Sequence, residues 1–182
     1  MRRLRLRLAI DCPDAAESAA ALLPRGRLIR PRVVGGYHPQ GGELDPGPLL
    51  ARFAAAGAAI ALPVAIERAS PLAWRAACGP GSFTPDAFGI PAPPTSAASL
   101  MPDLIIVPVL AFDRRGGRLG QGAGCYDRSI ARLRAAGALT VVGLAYAGQE
   151  VDATPVEAHD QALDAILTEK GYIAVTEDNR CG

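Results

Sequence analysis

Residues 118–128 carry the clearest sign of chemistry in this sequence. Within them, the glycine loop, residues 120–124, has glycine at every second position. Glycines between a strand and a helix let the backbone approach an anion closely, and the first turn of the helix offers free amide groups. Arg118 and Arg128 stand on either side and carry guanidinium groups that suit phosphate oxygens. These residues predict a phosphate-binding loop.

The spacing within the glycine loop leaves a second interpretation open. Gly-x-Gly-x-Gly matches neither the dinucleotide-binding fingerprint nor the P-loop, which requires Lys followed by Ser or Thr. A purely structural turn, with charged side chains paired across the first turn of the helix, explains the same residues equally well.

Three carboxylates are candidates for the remaining chemistry. Asp127 follows the glycine loop, and Asp160 lies nearer the C-terminus beside His159. Mg²⁺ prefers oxygen ligands, so two such carboxylates brought together by the fold would complete a metal site. Glu43 lies in a long polar loop, where a solvent-exposed acid is the alternative interpretation. We expect His159 to be a hydrogen-bonded structural group, because histidines beside acidic residues usually are.

The elements that must position these residues alternate between helix and strand, as in α/β proteins. Apolar periodicity with Pro or Gly stops predicts helices at residues 14–23, 46–56 and 126–136. Apolar runs predict strands at residues 33–34, 58–66, 72–75, 104–109, 139–145 and 164–168. The rest of 71–101, and all of 113–124, are expected to be loop. A loop as long as 71–101 is either a connector or part of a site.

Length and composition favour one globular domain. The chain has 182 residues, of which 49% are hydrophobic and 20% charged, and this excludes extensive disorder. Its net charge of +1 removes any whole-chain argument for binding nucleic acid or an anionic membrane. The sequence has no apolar run of transmembrane length and no signal peptide at residues 1–10, so we expect a cytoplasmic protein. The four cysteines are scattered and are expected to be free thiols.

Several ordered segments between residues 31 and 170 carry a recognisable pattern. They are residues 37–39 with Glu43 and Asp45, then 88–91, 103–108, 111–113, 117–128, 155–160, 163–164 and 168–169. In this order and spacing they resemble the signature of the 5-formyltetrahydrofolate cyclo-ligase family, also called methenyltetrahydrofolate synthetases.

This resemblance implies a fold and an activity. The fold is a single three-layer α/β domain over residues 1–182, with a mostly parallel central sheet flanked by helices. It comprises a basic helical region (1–30), a family-like core (31–170) and a tail (171–182). The activity is the ATP- and Mg²⁺-dependent conversion of 5-formyltetrahydrofolate to 5,10-methenyltetrahydrofolate, with release of ADP and phosphate. The expected protein is a monomer with a reduced folate as its partner.

The resemblance also implies roles for individual residues. Asp127 and Asp160 are expected to hold Mg²⁺. The expected folate-binding residues are Tyr37, Glu43, Phe88 and Tyr126, with Phe88 stacked on the pterin ring. The expected catalytic residues are Arg118, Tyr126 and Arg128. The expected ATP-binding residues are Arg118, Leu119, Gly120, Gln121, Gly122, Ala123, Gly124, Cys125, Tyr126 and Arg128.

Three departures from the family pattern keep alternatives open. The segment before the helix at 14–23 is short, and its arginines either reach the nucleotide or are surface charges; they are Arg2, Arg3, Arg5 and Arg7. Cys125 stands where the family has an aromatic residue, and Ala123 where members have Lys or Gly. The alternatives to an active enzyme are a non-catalytic folate- or nucleotide-binding relative, or a paralogue that acts on another N-formyl substrate.

Overall fold

The computed structural model describes residues 1–24, 30–77, 79 and 82–176. Its helices are α1 (Arg2–Asp11), α2 (Ala15–Leu22), α3 (Gly47–Ala55) and α4 (Cys125–Ala136), with a turn of 3₁₀ helix at Ala147–Gln149. Its strands are β1 (Val33–Gly35), β2 (Ala59–Val64), β3 (Ala73–Ala76), β4 (Thr84–Pro85), β5 (Pro91–Ala92), β6 (Leu104–Pro108), β7 (Ala111–Phe112), β8 (Arg118–Leu119), β9 (Thr140–Leu144), β10 (Ala165–Thr168) and β11 (Gly171–Ala174).

Seven strands form one sheet in the order β11-β10-β9-β6-β1-β2-β3. The five central strands are parallel, and the edge strands β3 and β11 are antiparallel to their neighbours. From β1 the chain runs to β2 on one side, and from β6 it runs through β9 to β10 on the other. The sheet therefore has a switch point between β1 and β6, and such folds bind ligands beyond the carboxyl ends of the strands at that point.

Helices cover both faces of the sheet. Helices α1, α2 and α3 pack on one face, against residues such as Leu104 and Leu144. Helix α4 packs on the other through Ile130 and Leu133, against Ile105. The predicted three-layer α/β fold is therefore confirmed.

The long elements form for the reasons that the sequence indicates. In α3, Leu49 and Phe53 are one helical turn apart and both are buried. Asp45 accepts a hydrogen bond from the Gly47 N–H at the start of this helix (2.8 Å). Strand β6 is buried on both faces, because it lies at the centre of the sheet between two helical layers.

Four features differ from the predicted elements. Helix α1 lies in the expected helical region 1–30 but precedes the helix predicted at 14–23, and β11 lies in the predicted tail. The hairpin β4–β5 lies in a predicted loop, and the hairpin β7–β8 begins just before another one and ends inside it. Strands of two residues are too short to show a periodicity. Helix α1 alternates Arg and Leu and has no apolar stripe, so Leu6 and Ile10 are exposed and Arg5 is buried.

Three smaller findings complete the description. None of the helices in the described ranges is both long and apolar enough to span a bilayer. Cys12 and Cys125 are free thiols, as predicted, whereas Cys78 and Cys181 lie outside the described residues. The exposed turn between β10 and β11 contains Lys170, the one lysine of the sequence.

Candidate active site

A cavity of about 760 Å³ opens at the switch point of the sheet. Most of its lining comes from four segments: the β1 loop (residues 36–44), the mid-chain segment (residues 86–91), the glycine loop with the start of α4, and residues 155–160. Arg5 of α1 and residues at the ends of β2 and β6 line it as well. Its volume lies within the range of ~300–1,000 Å³ that is usual for small-molecule sites. Segments that are far apart in sequence therefore meet around one chamber.

Glu43 is buried in the wall of this cavity. Its side chain is only 7% exposed, and its carboxylate pairs with the guanidinium of Arg5, which is 4% exposed (3.2 Å). Its second oxygen accepts a hydrogen bond from the Gln40 N–H (3.0 Å). The interpretation of Glu43 as a solvent-exposed acid is wrong. Arg5 comes from α1, so one of the four N-terminal arginines reaches the cavity, and the other three are exposed.

Two tyrosines lie beside Glu43 with pKa values above the usual range. Burial raises the pKa of Tyr37, and the charge of Glu43 raises it further. The same two causes, in the same order, raise the pKa of Tyr126. The Tyr37 hydroxyl donates a hydrogen bond to the Leu44 carbonyl. Both phenols therefore remain neutral at physiological pH, so each hydroxyl keeps a proton that it can donate.

The glycine loop presents backbone groups to the cavity. Gly122 (φ +93°) and Gly124 (φ +63°) adopt left-handed conformations that favour glycine. Helix α4 begins directly after them at Cys125, so its free amide groups lie at the cavity wall. The Gln121 amide donates a hydrogen bond to Oε1 of Glu43 (3.3 Å) and joins the loop to the opposite wall.

Arg118 and Asp127 form an ion pair at the end of the cavity near α4. Nη2 of Arg118 lies 2.6 Å from Oδ1 of Asp127, and the two side chains are 7% and 16% exposed. The same Oδ1 accepts a hydrogen bond from the Gln161 N–H (3.0 Å). The structure is thus compatible with both interpretations of the glycine loop. The ion pair fits a structural turn with paired charges, and the position in the cavity wall fits a phosphate-binding loop.

Asp160 lines the same cavity as Asp127. Its Oδ2 accepts a hydrogen bond from the Glu157 N–H (2.8 Å). His159 is 64% exposed and lies between Glu157 (3.6 Å) and Asp160 (3.8 Å). Among the residues that the structure describes, no three His, Cys, Asp or Glu side chains cluster as a metal site.

Arg128 points to the backbone of the glycine loop. Its guanidinium donates a hydrogen bond to the Ala123 carbonyl and lies against Gly124, where an added Cβ would be 3.0 Å from Nη1. Arg128 is not among the described residues that line the cavity. In this arrangement Arg128 supports the loop, whereas Arg118 and Arg5 line the cavity.

Phe88 lines the cavity opposite the glycine loop. Asp86 shapes the turn that carries it, because its Oδ1 accepts hydrogen bonds from the N–H groups of Phe88 (2.8 Å) and Ile90 (3.0 Å). The Arg68 guanidinium lies over the Phe88 ring, 5.4 Å from its centre. The mid-chain segment is therefore part of the cavity wall, and the interpretation as a simple connector is wrong for it.

Sequence reasoning missed Asp113, which organises the base of the β7–β8 hairpin. This buried carboxylate accepts hydrogen bonds from Thr154 Oγ1 (2.7 Å) and from the N–H groups of Thr154, Gly117 and Arg115 (2.8, 3.1 and 2.9 Å). Burial alone would raise its pKa, but these hydrogen bonds outweigh burial, and the pKa is lowered. Strand β8 ends at Leu119 and leads directly into the glycine loop, so Asp113 helps to fix where that loop begins. Its position between a strand and a glycine turn is the only signal in the sequence.

Fold and cavity together define an α/β protein with a small-molecule site at the carboxyl edge of a parallel sheet. Residues 15–169 match the model of the 5-formyltetrahydrofolate cyclo-ligase family. The chain belongs to this family, as its motifs predict, and it is an enzyme of the cyclo-ligase class.

Individual relatives agree with this assignment. A 5-formyltetrahydrofolate cyclo-ligase of Mycolicibacterium smegmatis is 37% identical over 176 residues, which cover 90% of this chain and 89% of the relative. One of Escherichia coli is 33% identical and covers 70% of this chain and 72% of its own. The solved 5,10-methenyltetrahydrofolate synthetase of Aquifex aeolicus superposes with a TM-score of 0.74 at 27% identity, over 97% of this chain and 91% of that one.

Proposed function

We propose that the protein converts 5-formyltetrahydrofolate and ATP to 5,10-methenyltetrahydrofolate, ADP and phosphate in the presence of Mg²⁺. One observation carries the proposal: a single chamber is lined by a buried carboxylate, two neutral phenols, an arginine, and a glycine loop at the start of a helix. The family and its relatives support the synthetase activity.

The glycine-loop side of the cavity fits a nucleotide. Left-handed Gly122 and Gly124 expose backbone amides at the start of a helix of 12 residues, where phosphate binding is favourable. Arg118 adds a guanidinium group in the cavity wall. Arg128 would keep the loop in this shape rather than contact the phosphates itself.

The acidic side chains fit a Mg²⁺ ion that arrives with the nucleotide. Asp127 uses Oδ1 for both of its hydrogen bonds, so Oδ2 is the oxygen that would bind the ion. Mg²⁺ commonly takes one or two carboxylates and completes its octahedron with water and phosphate oxygens. Asp127 with Asp160 matches that pattern, and a cage made only of protein groups is unnecessary.

The opposite wall fits a reduced folate. The Glu43 carboxylate would accept hydrogen bonds from N–H groups of the pterin ring, and Phe88 would stack on that ring. The neutral Tyr126 hydroxyl would donate a hydrogen bond to an oxygen of the substrate, between the two walls. Tyr37 would hold the β1 loop through Leu44 and flank Glu43.

The chemistry requires positioning more than a protein nucleophile. When ATP with Mg²⁺ is bound, it supplies a phosphoryl group that turns the formyl oxygen into a leaving group. The protein's part is to hold the folate against the glycine loop, neutralise charge with Arg118 and exclude water. Such contributions account for most of the catalysis in phosphoryl transfer.

An absorbance assay tests the proposal. Purified protein is incubated with 5-formyltetrahydrofolate, ATP and Mg²⁺, and the ultraviolet band of the methenyl product is followed together with phosphate release. We expect equal amounts of the two products and no turnover when Mg²⁺ is chelated. Folate binding without either product would contradict the proposal and favour the non-catalytic alternative.

A further inference from the structure

The Glu43 carboxylate joins three separate parts of the chain. Its Oε1 accepts hydrogen bonds from Arg5 of α1 (3.2 Å) and from Gln121 of the glycine loop (3.3 Å). Its Oε2 accepts one from the Gln40 N–H in the β1 loop (3.0 Å). Arg5 and Gln121 are therefore connected through a single oxygen atom of Glu43.

Arg5 fixes the part of the β1 loop that contains Glu43. Besides the ion pair, its Nη2 donates hydrogen bonds to the carbonyls of Gly41 (3.1 Å) and Gln40 (3.4 Å). The backbone of α1 lies directly on this loop, because a Cβ added to Gly42 would be 3.3 Å from the Cα of Leu6. An arginine buried in this way orients the carboxylate, and its removal frees both the carboxylate and the loop.

Gln121 connects this fixed loop to a more exposed one. Residues 121–123 of the glycine loop are exposed, whereas the Glu43 side chain is buried. A ligand that orders an exposed loop loses part of its binding energy to that ordering, and a second ligand that meets the ordered loop does not. A hydrogen bond between the two loops therefore transmits order from one side of the cavity to the other.

We infer that Arg5, Glu43 and Gln121 form a bridge that couples folate binding to nucleotide binding. Arg5 is a positioning residue that holds Glu43 in place, and Gln121 is the link to the glycine loop. Occupancy of either side of the cavity strengthens binding on the other, and the effect is reciprocal. This inference rests on the proposed function, because it takes the two ligands to be those named there.

Calorimetry measures the coupling directly. The Kd of 5-formyltetrahydrofolate is determined with and without a saturating non-hydrolysable ATP analogue and Mg²⁺, so no turnover is needed. In the unmodified protein we expect the analogue to lower this Kd by about fivefold or more, a typical allosteric coupling. In Gln121→Ala and in Arg5→Ala the ratio of the two Kd values should fall to about one. The matched control is Arg3→Ala on the same helix, because Arg3 is exposed and does not line the cavity.

The outcomes separate the bridge from the proposed function. If both ligands bind but neither changes the affinity of the other, the bridge is wrong and the proposed function stands. If the coupling survives in both Gln121→Ala and Arg5→Ala, the bridge is also wrong. If neither ligand binds the unmodified protein, whether alone or with the other, the proposed function is wrong and the bridge is wrong with it. Gln121 is exposed, so its variant should fold normally even if Arg5→Ala is destabilised.

Discussion

Asp127 has one structural role and one proposed catalytic role, and a single substitution tests both. It pairs with Arg118 at 2.6 Å, and under the proposed function its second oxygen would bind Mg²⁺. We expect Asp127→Asn to lower Mg²⁺-dependent kcat/KM by roughly 10–100-fold, the usual cost of disturbing a metal site. Steady-state kinetics across a Mg²⁺ titration would measure this effect.

A second ion pair of α4 supplies the matched control. Asp164 pairs with Arg134 at 3.1 Å and does not line the cavity. Asp164→Asn should therefore reduce thermal stability and leave the Mg²⁺ dependence as it is. Equal losses of turnover in Asp127→Asn and Asp164→Asn would mean that Asp127 acts only through the fold.

Substitution of Phe88 should raise KM for the folate and leave KM for ATP unchanged. Phe88→Leu removes the stacking surface of the mid-chain segment and keeps an apolar side chain there. Aromatic stacking contributes about 0.5–1.5 kcal/mol, so we expect KM for the folate to rise by roughly two- to twelvefold. KM for ATP should not change, and a parallel rise in both KM values would remove Phe88 from the folate site.

The glycine loop is the element whose backbone shape matters most. Gly124 has φ +63°, and an added Cβ would be 3.0 Å from Arg128. Gly124→Ala should cost about 1–2 kcal/mol of stability from the left-handed conformation and weaken nucleotide binding as the loop shifts. Gly137→Ala, at the other end of α4, is the control, because its Cβ would have no neighbour within 4 Å. Unfolding in urea and nucleotide titration measure the two effects, and equal behaviour of the two variants would contradict this account.

The hairpin before the glycine loop should show a pH-dependent stability. The lowered pKa of Asp113 means that its contribution is complete above the pKa of the unfolded chain, about 3.9. This contribution is lost as the pH falls through the lower pKa of the folded state. At pH 7, Asp113→Asn should cost about 1–3 kcal/mol, since buried donors lose their charged acceptor. The difference from the unmodified protein should shrink near pH 3.

Urea unfolding at pH 7 and at pH 3 measures the loss in the free energy of unfolding that Asp113→Asn causes at each pH. Asp152 is an exposed neighbour and supplies the control, because Asp152→Asn should not change the free energy of unfolding at either pH. A cost for Asp113→Asn that is independent of pH would show that geometry, and not charge, matters at this position.

Elements with long apolar runs could be predicted from the sequence, and short ones could not. Strand β6 could be predicted because burial on both sides requires a continuous apolar run. Helix α3 could be predicted because burial of one face places apolar residues at helical spacing. The β7–β8 hairpin depends on one carboxylate and a glycine turn, which no periodicity records. Helix α1 depends on contacts that its arginine makes with a distant loop, and only the folded chain brings these together.

In the candidate site, too, residue types with a local pattern could be predicted, and contacts between distant elements could not. The glycine loop, Asp127 and Glu43 could be chosen from residue type and spacing, and the cavity includes all three. The pairing of Glu43 with Arg5 could not be predicted, because the two residues are 38 positions apart and lie on different elements. The family resemblance implies a catalytic role for Arg128, and nothing in the sequence indicates the hydrogen bond that its guanidinium donates to the Ala123 carbonyl.

At the scale of the whole molecule, ligand binding should be visible as stability. A ligand at about 100 times its Kd raises the free energy of unfolding by about 2.7 kcal/mol. For a chain of this size that corresponds to a rise in Tm of roughly 5–10 °C with 5-formyltetrahydrofolate. A short DNA duplex at the same concentration should give no shift, as expected from a net charge of +1. A shift with DNA would contradict the absence of a nucleic-acid partner.

The turn between β10 and β11 has a practical use. Lys170 is the only side-chain amine in the sequence, it is exposed, and it does not line the cavity. Arg5 and Arg118 line the cavity, and their guanidinium groups remain protonated and do not react with ordinary amine reagents. A fluorophore or a surface tether attached to Lys170 would therefore report on this enzyme without modifying a single charged group of its chamber.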